Sequence, residues 1–189
     1  MEYALVTGGS RGIGKAICLR LADMGYHIII NYMANDEEAL KTQALIKEKG
    51  VDAQLMKFDV SITADADSHI ETWIKENTEH TISVLVNNAG IRKDNLLVFI
   101  SPDDWHRVLD ITVDGFYNVT RHIVKSMLSK RKGRIVNIVS LSGLKGMPGQ
   151  TNYSASKGAI IAATKALAQE VGKRGITVNA VAPGLLKQI

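Results

Sequence analysis

Residues 2–14 are EYALVTGGSRGIG, an apolar run followed directly by a glycine-rich turn. The helical pattern KAICLRLADMG comes next, so the segment has the strand–turn–helix order of a dinucleotide-binding unit. Glycines in such a turn permit a tight bend and bring the backbone close to a pyrophosphate, to which the helix N-terminus presents unpaired N–H groups. We therefore predict a cofactor site formed by Thr7, Gly8, Ser10, Arg11, Gly12, Ile13 and Gly14.

Short apolar runs alternate with helical patterns along the rest of the chain. The runs are nearly continuous in apolar residues, which is typical of strands covered on both faces. No linker, repeat or low-complexity tract interrupts the alternation. It predicts one domain over residues 1–189, an α/β fold with a doubly wound parallel sheet in a Rossmann-type three-layer α/β/α arrangement. The predicted strands are Tyr3–Val6, Tyr26–Asn31, Ala53–Phe58, Ser83–Val86, Arg134–Val139 and Thr177–Val181.

Several residues mark the predicted helix ends. Gly25 and Gly50 are expected to stop helices that begin near Gly12 and Asn35. Ser101 is predicted to cap a further helix whose first residue is Pro102.

The composition of the 189-residue chain is that of a globular domain, with 46% hydrophobic and 22% charged residues. A net charge of +4 and an aromatic fraction of 5% argue against a nucleic-acid partner. The N-terminus lacks the features of a signal peptide, and no apolar run reaches the ~20 residues of a membrane span. The single Cys18 predicts a reducing, cytoplasmic setting, and the histidines lack metal-ligand spacing, so no metal is expected.

The end of the second predicted strand bears on the choice of dinucleotide. A carboxylate at that point would bind a ribose 2′-hydroxyl and repel a 2′-phosphate. This chain has Asn31-Tyr32-Met33 there, and Asn31 is counted among the cofactor-binding candidates. Arg11 in the glycine-rich turn can pair with the extra phosphate, although a solvated loop cation is the alternative. We therefore expect NADPH in preference to NADH.

The segment SLSGLKGMPGQTNYSASK, residues 140–157, carries candidate reaction chemistry. A helix would place Tyr153 and Lys157 on one face, because they are four residues apart. A nearby ammonium favours ionisation of a phenol, and Ser140 would add a third polar group if its strand ends beside that helix. The alternative is an amphipathic helix with a surface tyrosine and lysine, and the spacing alone leaves both interpretations open.

A set of separated motifs resembles a known family. The chain is similar to the short-chain dehydrogenases/reductases over essentially its whole length, and most closely to the 3-oxoacyl-[acyl-carrier-protein] reductases. The resemblance implies an NAD(P)-dependent oxidoreductase that reduces a 3-oxoacyl thioester of acyl-carrier protein or CoA, in fatty-acid or related biosynthesis. The motifs are Thr7-Gly8 with Gly12 and Gly14, Asp59-Val60, Asn87-Asn88-Ala89-Gly90, Ser140, Tyr153 with Lys157, and Pro183-Gly184.

The resemblance also implies roles for single residues. Asp59 would accept a hydrogen bond from the adenine amino group, and Val60 would meet the ring through its backbone. Tyr153 would protonate the alkoxide that develops on the substrate. Ser140, favoured over Ser142 by its spacing to Tyr153, would hydrogen-bond the same oxygen. Lys157 would hold the nicotinamide ribose and favour the Tyr153 phenolate. The remaining cofactor-binding residues are Asn87, Ala89, Gly90, Tyr153, Pro183 and Gly184.

Partners follow from the same resemblance. Arg131 and Arg174 match family positions that receive the acidic carrier protein, although solvated surface cations are the alternative. A homodimer or homotetramer is also expected, with one dimer interface formed by the long helix after Pro102 and the helix of Tyr153.

The chain departs from the family pattern at three points. Thr112 stands where an asparagine usually helps to hold a proton-relaying water, and Gln188 stands where a threonine usually touches the nicotinamide carboxamide. Family members continue beyond the position of Ile189 through a helical lid and a last strand, so we expect a C-terminally truncated domain with an apolar sixth strand at its edge. Two alternatives therefore stay open: a short-chain enzyme for another carbonyl or alcohol, and a non-catalytic cofactor-binding subunit.

Overall fold

The sheet that the sequence predicts is present, with six parallel strands in the order β3-β2-β1-β4-β5-β6. The computed structural model describes residues 1–184. Each predicted strand begins and ends within two residues of its observed bounds. The order reverses direction between β1 and β4, the point at which doubly wound sheets bind their ligands. The strands are β1 (Glu2–Val6), β2 (His27–Tyr32), β3 (Ala53–Lys57), β4 (Thr81–Asn87), β5 (Gly133–Ile138) and β6 (Ile176–Val181).

Helices connect the strands and cover the sheet. No helix within residues 1–184 is both long enough and apolar enough to cross a membrane. A π-helical turn, Asp110–Asp114, joins α4 to α5, and 3₁₀ turns lie at Leu97–Phe99 and Gly172–Arg174. The α-helices are α1 (Gly12–Asp23), α2 (Asp36–Lys47), α3 (Thr63–Glu76), α4 (Pro102–Leu109), α5 (Gly115–Lys130), α6 (Leu141–Lys145) and α7 (Thr151–Val171).

Two buried clusters, one on each face of the sheet, explain why the strands are apolar throughout. Along β1, Tyr3 and Leu5 belong to the cluster beneath α3, α5 and α7. Ala4 and Val6 alternate with them and belong to the cluster beneath α1 and α2. Successive side chains of a strand point to opposite faces, so a strand covered on both faces is mostly apolar, and its few buried polar residues need hydrogen-bond partners.

The predicted helix ends are observed. Asn35 Oδ1 accepts a hydrogen bond from Glu38 N at 3.0 Å at the start of α2. Ser101 Oγ accepts one from Asp104 N at 3.1 Å, and Pro102 is the first residue of α4. These caps satisfy backbone donors that have no partner inside the helix.

The edge strand β6 is less apolar than expected. Ile176 and Val178 are buried, but Thr177 and Asn179, which alternate with them, are exposed. Only the last residues of the strand, including Val181 at 47% exposure, present apolar surface.

Candidate active site

Thr7 joins the two loops at the switch point of the sheet. It follows β1, and its hydroxyl accepts hydrogen bonds from Asn88 N at 2.9 Å and Ala89 N at 3.0 Å, just after β4. The Asn88 side chain returns to the glycine-rich turn, donating to Thr7 O at 2.9 Å and Gly8 O at 3.2 Å. The glycine-rich turn and the Asn87–Gly90 segment are therefore one rigid unit, a coupling that the sequence motifs do not reveal.

We expect Thr7→Val to lower the free energy of unfolding by about 2 kcal/mol, because the backbone N–H groups of Asn88 and Ala89 lose the acceptor that they share. Thr7→Ser keeps the hydroxyl and should cost less than about 1 kcal/mol despite its lost methyl group. Urea denaturation of both variants measures the difference. Equal stabilities for the valine and serine variants would show that the hydroxyl does not hold the two loops together.

The glycine-rich turn has the shape of a phosphate cradle. A Cβ on Gly14 would fall 2.1 Å from Gly8 O, so only glycine permits this approach of α1 to the turn. Arg11 precedes α1 in an extended conformation and does not cap its N–H groups with its side chain. The first N–H groups of α1 therefore face the turn without a side-chain acceptor, an arrangement that suits a dinucleotide pyrophosphate.

Asn31 lies beneath this turn. It is 2% exposed, and its Oδ1 accepts a hydrogen bond from Gly8 N at 3.3 Å. Its Nδ2 donates to Met56 O at 3.2 Å and Phe58 O at 3.1 Å. Both ends of the carboxamide therefore bind protein atoms and fix the turn from below, and the role of Asn31 in cofactor binding stays a prediction.

Asp59 and Val60 follow β3 at the same edge of the sheet. Val60 is buried against Gly115, and its carbonyl accepts a hydrogen bond from Asn118 Nδ2 at 3.0 Å. The Asp59 carboxylate accepts hydrogen bonds from Ser61 and from Arg107, a residue without any sequence signal for this site. Burial alone would raise the pKa of Asp59, but these hydrogen bonds outweigh it and hold the pKa below its usual value.

Ser140, Tyr153 and Lys157 converge at the carboxyl end of β5. Ser140 comes two residues after the strand and begins α6, while Tyr153 and Lys157 lie on α7. A Cβ on Gly143 would fall 2.8 Å from Lys157 Cβ, so this glycine lets α6 pack closely against α7. Lys157 Nζ lies 5.7 Å from the centre of the Tyr153 ring, as the four-residue spacing predicts.

The two candidate serines differ in their partners. Ser142 is 8% exposed, and its hydroxyl donates to Gln150 Oε1 at 2.8 Å. The Gln150 Nε2 in turn donates to Asp94 Oδ2 at 3.0 Å. Ser140 Oγ is half-buried and accepts only a 3.2 Å hydrogen bond from Ser142 N among the described residues. Its hydroxyl proton therefore stays available to a ligand, which supports the choice of Ser140 over Ser142.

Lys157 is a buried cation. Its side chain is 4% exposed and its Nζ donates to Ile138 O at 2.8 Å. Burial lowers the pKa of Lys157 from its ordinary value of 10.5 to about 8. An ammonium at this depth, with no carboxylate partner among residues 1–184, is unfavourable for stability and therefore points to a functional role.

A small cavity of about 10 Å³, room for about one water molecule, lies beside Lys157. Asn87 and Thr112 line it, and Asn87 Oδ1 and Thr112 Oγ1 have no hydrogen-bond partner among the described residues. Thr112 is 4% exposed and lies in the π-helical turn between α4 and α5. Single π turns of this kind are frequent at functional sites, and this one carries the residue that departs from the family pattern.

The Asn87 side chain donates its hydrogen bonds to two buried polar side chains. Its Nδ2 donates to Thr120 Oγ1 at 3.0 Å and to Asn137 Oδ1 at 2.9 Å, below the strand ends. Ala89 and Gly90 follow it, and a Cβ on Gly90 would lie 3.3 Å from Lys157 Nζ. The motif therefore places the backbone at Gly90 beside Lys157, while the Asn87 side chain is anchored through Nδ2 and turns its unpartnered Oδ1 to the cavity beside Lys157.

Pro183 and Gly184 follow β6, and a Cβ on Gly184 would lie 3.9 Å from Leu141 Cδ1 in α6. They thus lie at the same edge of the sheet as Ser140. Gln188 falls outside the residues that the structure describes.

Arg131 and Arg174 are brought together, but far from this site. Arg131 precedes β5, Arg174 precedes β6, and Arg131 Nη2 donates to Lys173 O at 3.4 Å. Both are exposed, and both lie at the amino ends of strands whose carboxyl ends carry Ser140 and Pro183. At ~3.3 Å per strand residue, about 20 Å of β5 separates them from the reactive groups.

These features define a class, the dinucleotide-dependent oxidoreductases of the doubly wound α/β type. The chain belongs to the short-chain dehydrogenase family, whose model matches residues 2–188. The family uses a nicotinamide cofactor, and the cradle formed by Gly8, Gly14 and the start of α1 fits one.

Relatives and solved structures agree with this assignment. A 3-oxoacyl-[acyl-carrier-protein] reductase FabG from Aggregatibacter actinomycetemcomitans is 47% identical over 186 residues, 98% of this chain and 76% of the relative. A 3-oxoacyl-[acyl-carrier-protein] reductase from Synechocystis sp. is 43% identical over 185 residues, 98% of this chain and 74% of the relative. The crystal structure of NAD⁺-bound xylitol dehydrogenase superposes with a TM-score of 0.91 at 36% identity, covering 97% of this chain and 70% of that one.

Proposed function

We propose that this protein reduces a 3-oxoacyl thioester, carried by acyl-carrier protein or CoA, to the 3-hydroxyacyl form with NADPH. The observation that carries the proposal is the position of Lys157, which lies 5.7 Å from the Tyr153 ring centre, binds Ile138 O two residues before Ser140, and lines one cavity with Thr7 of the turn. Reductases of this substrate class that are 43–47% identical support the choice of substrate.

The cradle at Gly8, Gly14 and the start of α1 would hold the dinucleotide, whose reduced nicotinamide would supply hydride to the carbonyl carbon. Tyr153 donates its phenolic proton to the carbonyl oxygen as negative charge develops there. The Ser140 hydroxyl donates a second hydrogen bond to the same oxygen, and both donors stabilise the charge only as it forms. The Lys157 ammonium, held by Ile138 O beneath the Tyr153 ring, stabilises the phenolate that remains.

The proton that Tyr153 gives up must be replaced. Lys157, with a pKa of about 8, is suited to pass a proton near neutral pH. A water in the cavity between Lys157, Thr112 and Asn87 would accept from the ammonium and donate to Thr112 Oγ1 or Asn87 Oδ1. The threonine thus offers a hydroxyl in place of the usual asparagine and keeps the relay.

NADPH is proposed over NADH because no carboxylate follows β2 directly and Arg11 flanks the turn. The NAD⁺-bound neighbour shows that this fold also accepts the other dinucleotide, so the preference depends on local side chains. Lys57 and Tyr32 further support the preference for NADPH. Both donate hydrogen bonds to the Asp36 carboxylate, so protein groups already compensate its negative charge.

Arg11→Ala is expected to raise the Kd of NADPH about tenfold and that of NADH less than about twofold, because only NADPH has a 2′-phosphate to pair with the guanidinium. Quenching of protein fluorescence by each dinucleotide measures the two constants. Arg20→Ala, an exposed arginine in the last turn of the same helix, is the matched control. Equal weakening of both dinucleotides would contradict the phosphate contact.

The activity test is NADPH oxidation with an acetoacetyl thioester, compared with acetoacetate esters, ketoses and other non-thioester carbonyls. We expect the thioester to have a kcat/KM at least tenfold higher than any of the others. The likeness to xylitol dehydrogenase favours one second candidate, oxidation or reduction of a polyol or ketose. A higher kcat/KM for a ketose would select that candidate, and cofactor binding without any turnover would favour a non-catalytic subunit.

We further propose that the exposed basic edge around Arg131 and Arg174 attracts an acidic carrier protein. Its distance from Ser140 means that a carrier on this edge delivers its thioester to the site of another copy of the chain. The proposal therefore includes a homo-oligomer, a homodimer or homotetramer, in the cytoplasm. Arg131→Ala with Arg174→Ala should raise KM for the carrier-bound substrate and leave KM for the CoA thioester unchanged.

A further inference from the structure

Arg107 connects α4 to the ends of β2 and β3. It lies in the last turn of α4, and its Nη2 donates to Asp59 Oδ2 at 2.8 Å. Its Nη1 donates to Ser61 Oγ at 2.8 Å, and Nη2 also contacts Met33 Sδ at 3.5 Å. The guanidinium therefore spans residues that follow two neighbouring strands.

Asp59 is held in one orientation by these contacts. Its Oδ1 accepts hydrogen bonds from Ser61 N at 2.9 Å and Ser61 Oγ at 2.7 Å, and its Oδ2 accepts one from Arg107. An ionised carboxylate has about four acceptor positions, so Oδ2 keeps one. The Asp59 side chain is 13% exposed, so the carboxylate is not fully enclosed by protein atoms.

The pair lies on the half of the sheet opposite the reactive groups. The phosphate cradle follows β1 at the centre, and Ser140 follows β5 on one side of it. Arg107 and Asp59 lie over β2 and β3 on the other side. A dinucleotide with its pyrophosphate in the cradle and its nicotinamide near Ser140 must extend its adenosine half over β2 and β3.

We propose that Arg107 is a positioning residue that makes Asp59 a selective acceptor for the exocyclic amino group of the cofactor's adenine. This inference rests on nicotinamide dinucleotide binding and is independent of the thioester substrate. An ionised carboxylate only accepts hydrogen bonds. Adenine presents an N–H donor at its C6 position, whereas hypoxanthine presents a carbonyl oxygen that the carboxylate repels.

Arg107 acts on this selectivity through Asp59 in two ways. Its charge-assisted hydrogen bond favours the ionised carboxylate, and its fork to Ser61 and Asp59 stops the carboxylate from rotating away. A lysine has a point charge without the planar fork, so Arg107→Lys keeps the first effect and loses the second. Arg107→Met loses both but retains an unbranched side chain for packing.

The decisive readout is a ratio of dissociation constants: that of the hypoxanthine analogue of NADPH divided by that of NADPH. It is measured by fluorescence quenching on the whole chain without any substrate. We expect a ratio of at least about ten for the wild type, below about three for Arg107→Met, and an intermediate value for Arg107→Lys and Ser61→Ala. The ratio cancels any general weakening of cofactor binding caused by a less stable fold.

Arg121→Met is the matched control. Arg121 also forms an ion pair with an aspartate, Asp67, and its side chain is 34% exposed, close to the 37% of Arg107. That pair joins α5 to α3 on one face of the sheet, away from the strand ends, so its loss should leave the ratio at the wild-type value.

Three results would overturn the proposal. One is a wild type that does not distinguish the amino from the oxo purine. Another is an Arg107→Met variant that weakens both cofactors but retains the wild-type ratio, which would make Arg107 only a structural contact. The last is a variant that changes the NADPH-to-NADH ratio alone, which would place the guanidinium on the 2′-phosphate.

Discussion

Tyr153→Phe is expected to lower kcat for the acetoacetyl thioester by about 10³-fold while the Kd of NADPH changes less than about threefold. The phenol is the group that gives a proton to the substrate oxygen, and phenylalanine keeps the ring that packs above Lys157. Ser140 still donates one hydrogen bond to the oxygen, so the loss should be smaller than the complete rate enhancement.

Steady-state kinetics measures the change in kcat, and cofactor titration of the same preparation measures the change in the Kd of NADPH. Tyr117→Phe is the control, because that tyrosine lies on α5 with 59% of its surface exposed and takes no part in the site. A Tyr153→Phe variant with more than about a tenth of the wild-type kcat would show that another group supplies the proton.

Lys157→Met is expected to abolish turnover and at the same time to stabilise the protein at neutral pH. Burial lowers the pKa of Lys157 from 10.5 to about 8, which corresponds to a destabilisation of about 3 kcal/mol while the group is charged. Losing the hydrogen bond to Ile138 O offsets about 1 kcal/mol of the gain. The net increase in the free energy of unfolding at pH 7 should be about 2 kcal/mol.

The pH dependence fixes the cause of this effect. Between pH 8 and 10.5, Lys157 binds more protons in the unfolded wild type than in the folded one. The contribution of this residue to the free energy of unfolding therefore rises with pH over that range. The advantage of Lys157→Met is therefore complete below pH 8 and is lost by about pH 10.5. Urea denaturation at pH 7 and pH 10 tests this, with the exposed Lys165→Met as control. An advantage that does not change with pH would rule out the buried charge as its source.

The fold was predictable because its signals are local. The strands other than the edge strand β6 are largely covered on both faces, and the resulting apolar runs are visible in the sequence without knowledge of their neighbours. The glycine-rich turn was predictable for the same reason, because Gly8 and Gly14 act within one strand–turn–helix unit. The approach of Tyr153 to Lys157 needed only the helical period.

The contacts that join distant segments were not predictable. Arg107 and Asp59 are 48 residues apart, and nothing around Arg107 distinguishes it from a solvated helix residue. The hydrogen bonds of the Asn31 carboxamide to Gly8 N and Met56 O likewise depend on the packing of β2 against β3 and the turn. The π turn at Thr112 joins α4 to α5 and packs against α7, a contact between segments distant in sequence.

One result could have been anticipated. The sequence placed the fifth and sixth strands directly after Arg131 and Arg174, and Ser140 directly after the fifth. Parallel strands have all their amino ends at one edge of the sheet. The separation of the two arginines from the reactive groups therefore followed from the predicted topology.

Transfer of deuterium from NADPH labelled at C4 of the nicotinamide tests directly whether this protein delivers hydride to a 3-oxoacyl thioester. The two C4 epimers of the labelled cofactor are each incubated with an acetoacetyl thioester and the protein, and the product is analysed by mass spectrometry. We expect deuterium at C3 of a 3-hydroxybutyryl thioester from one epimer, and its loss in Tyr153→Phe. A wild-type chain that binds NADPH but forms no such product, or forms it at the same rate without Tyr153, would contradict it.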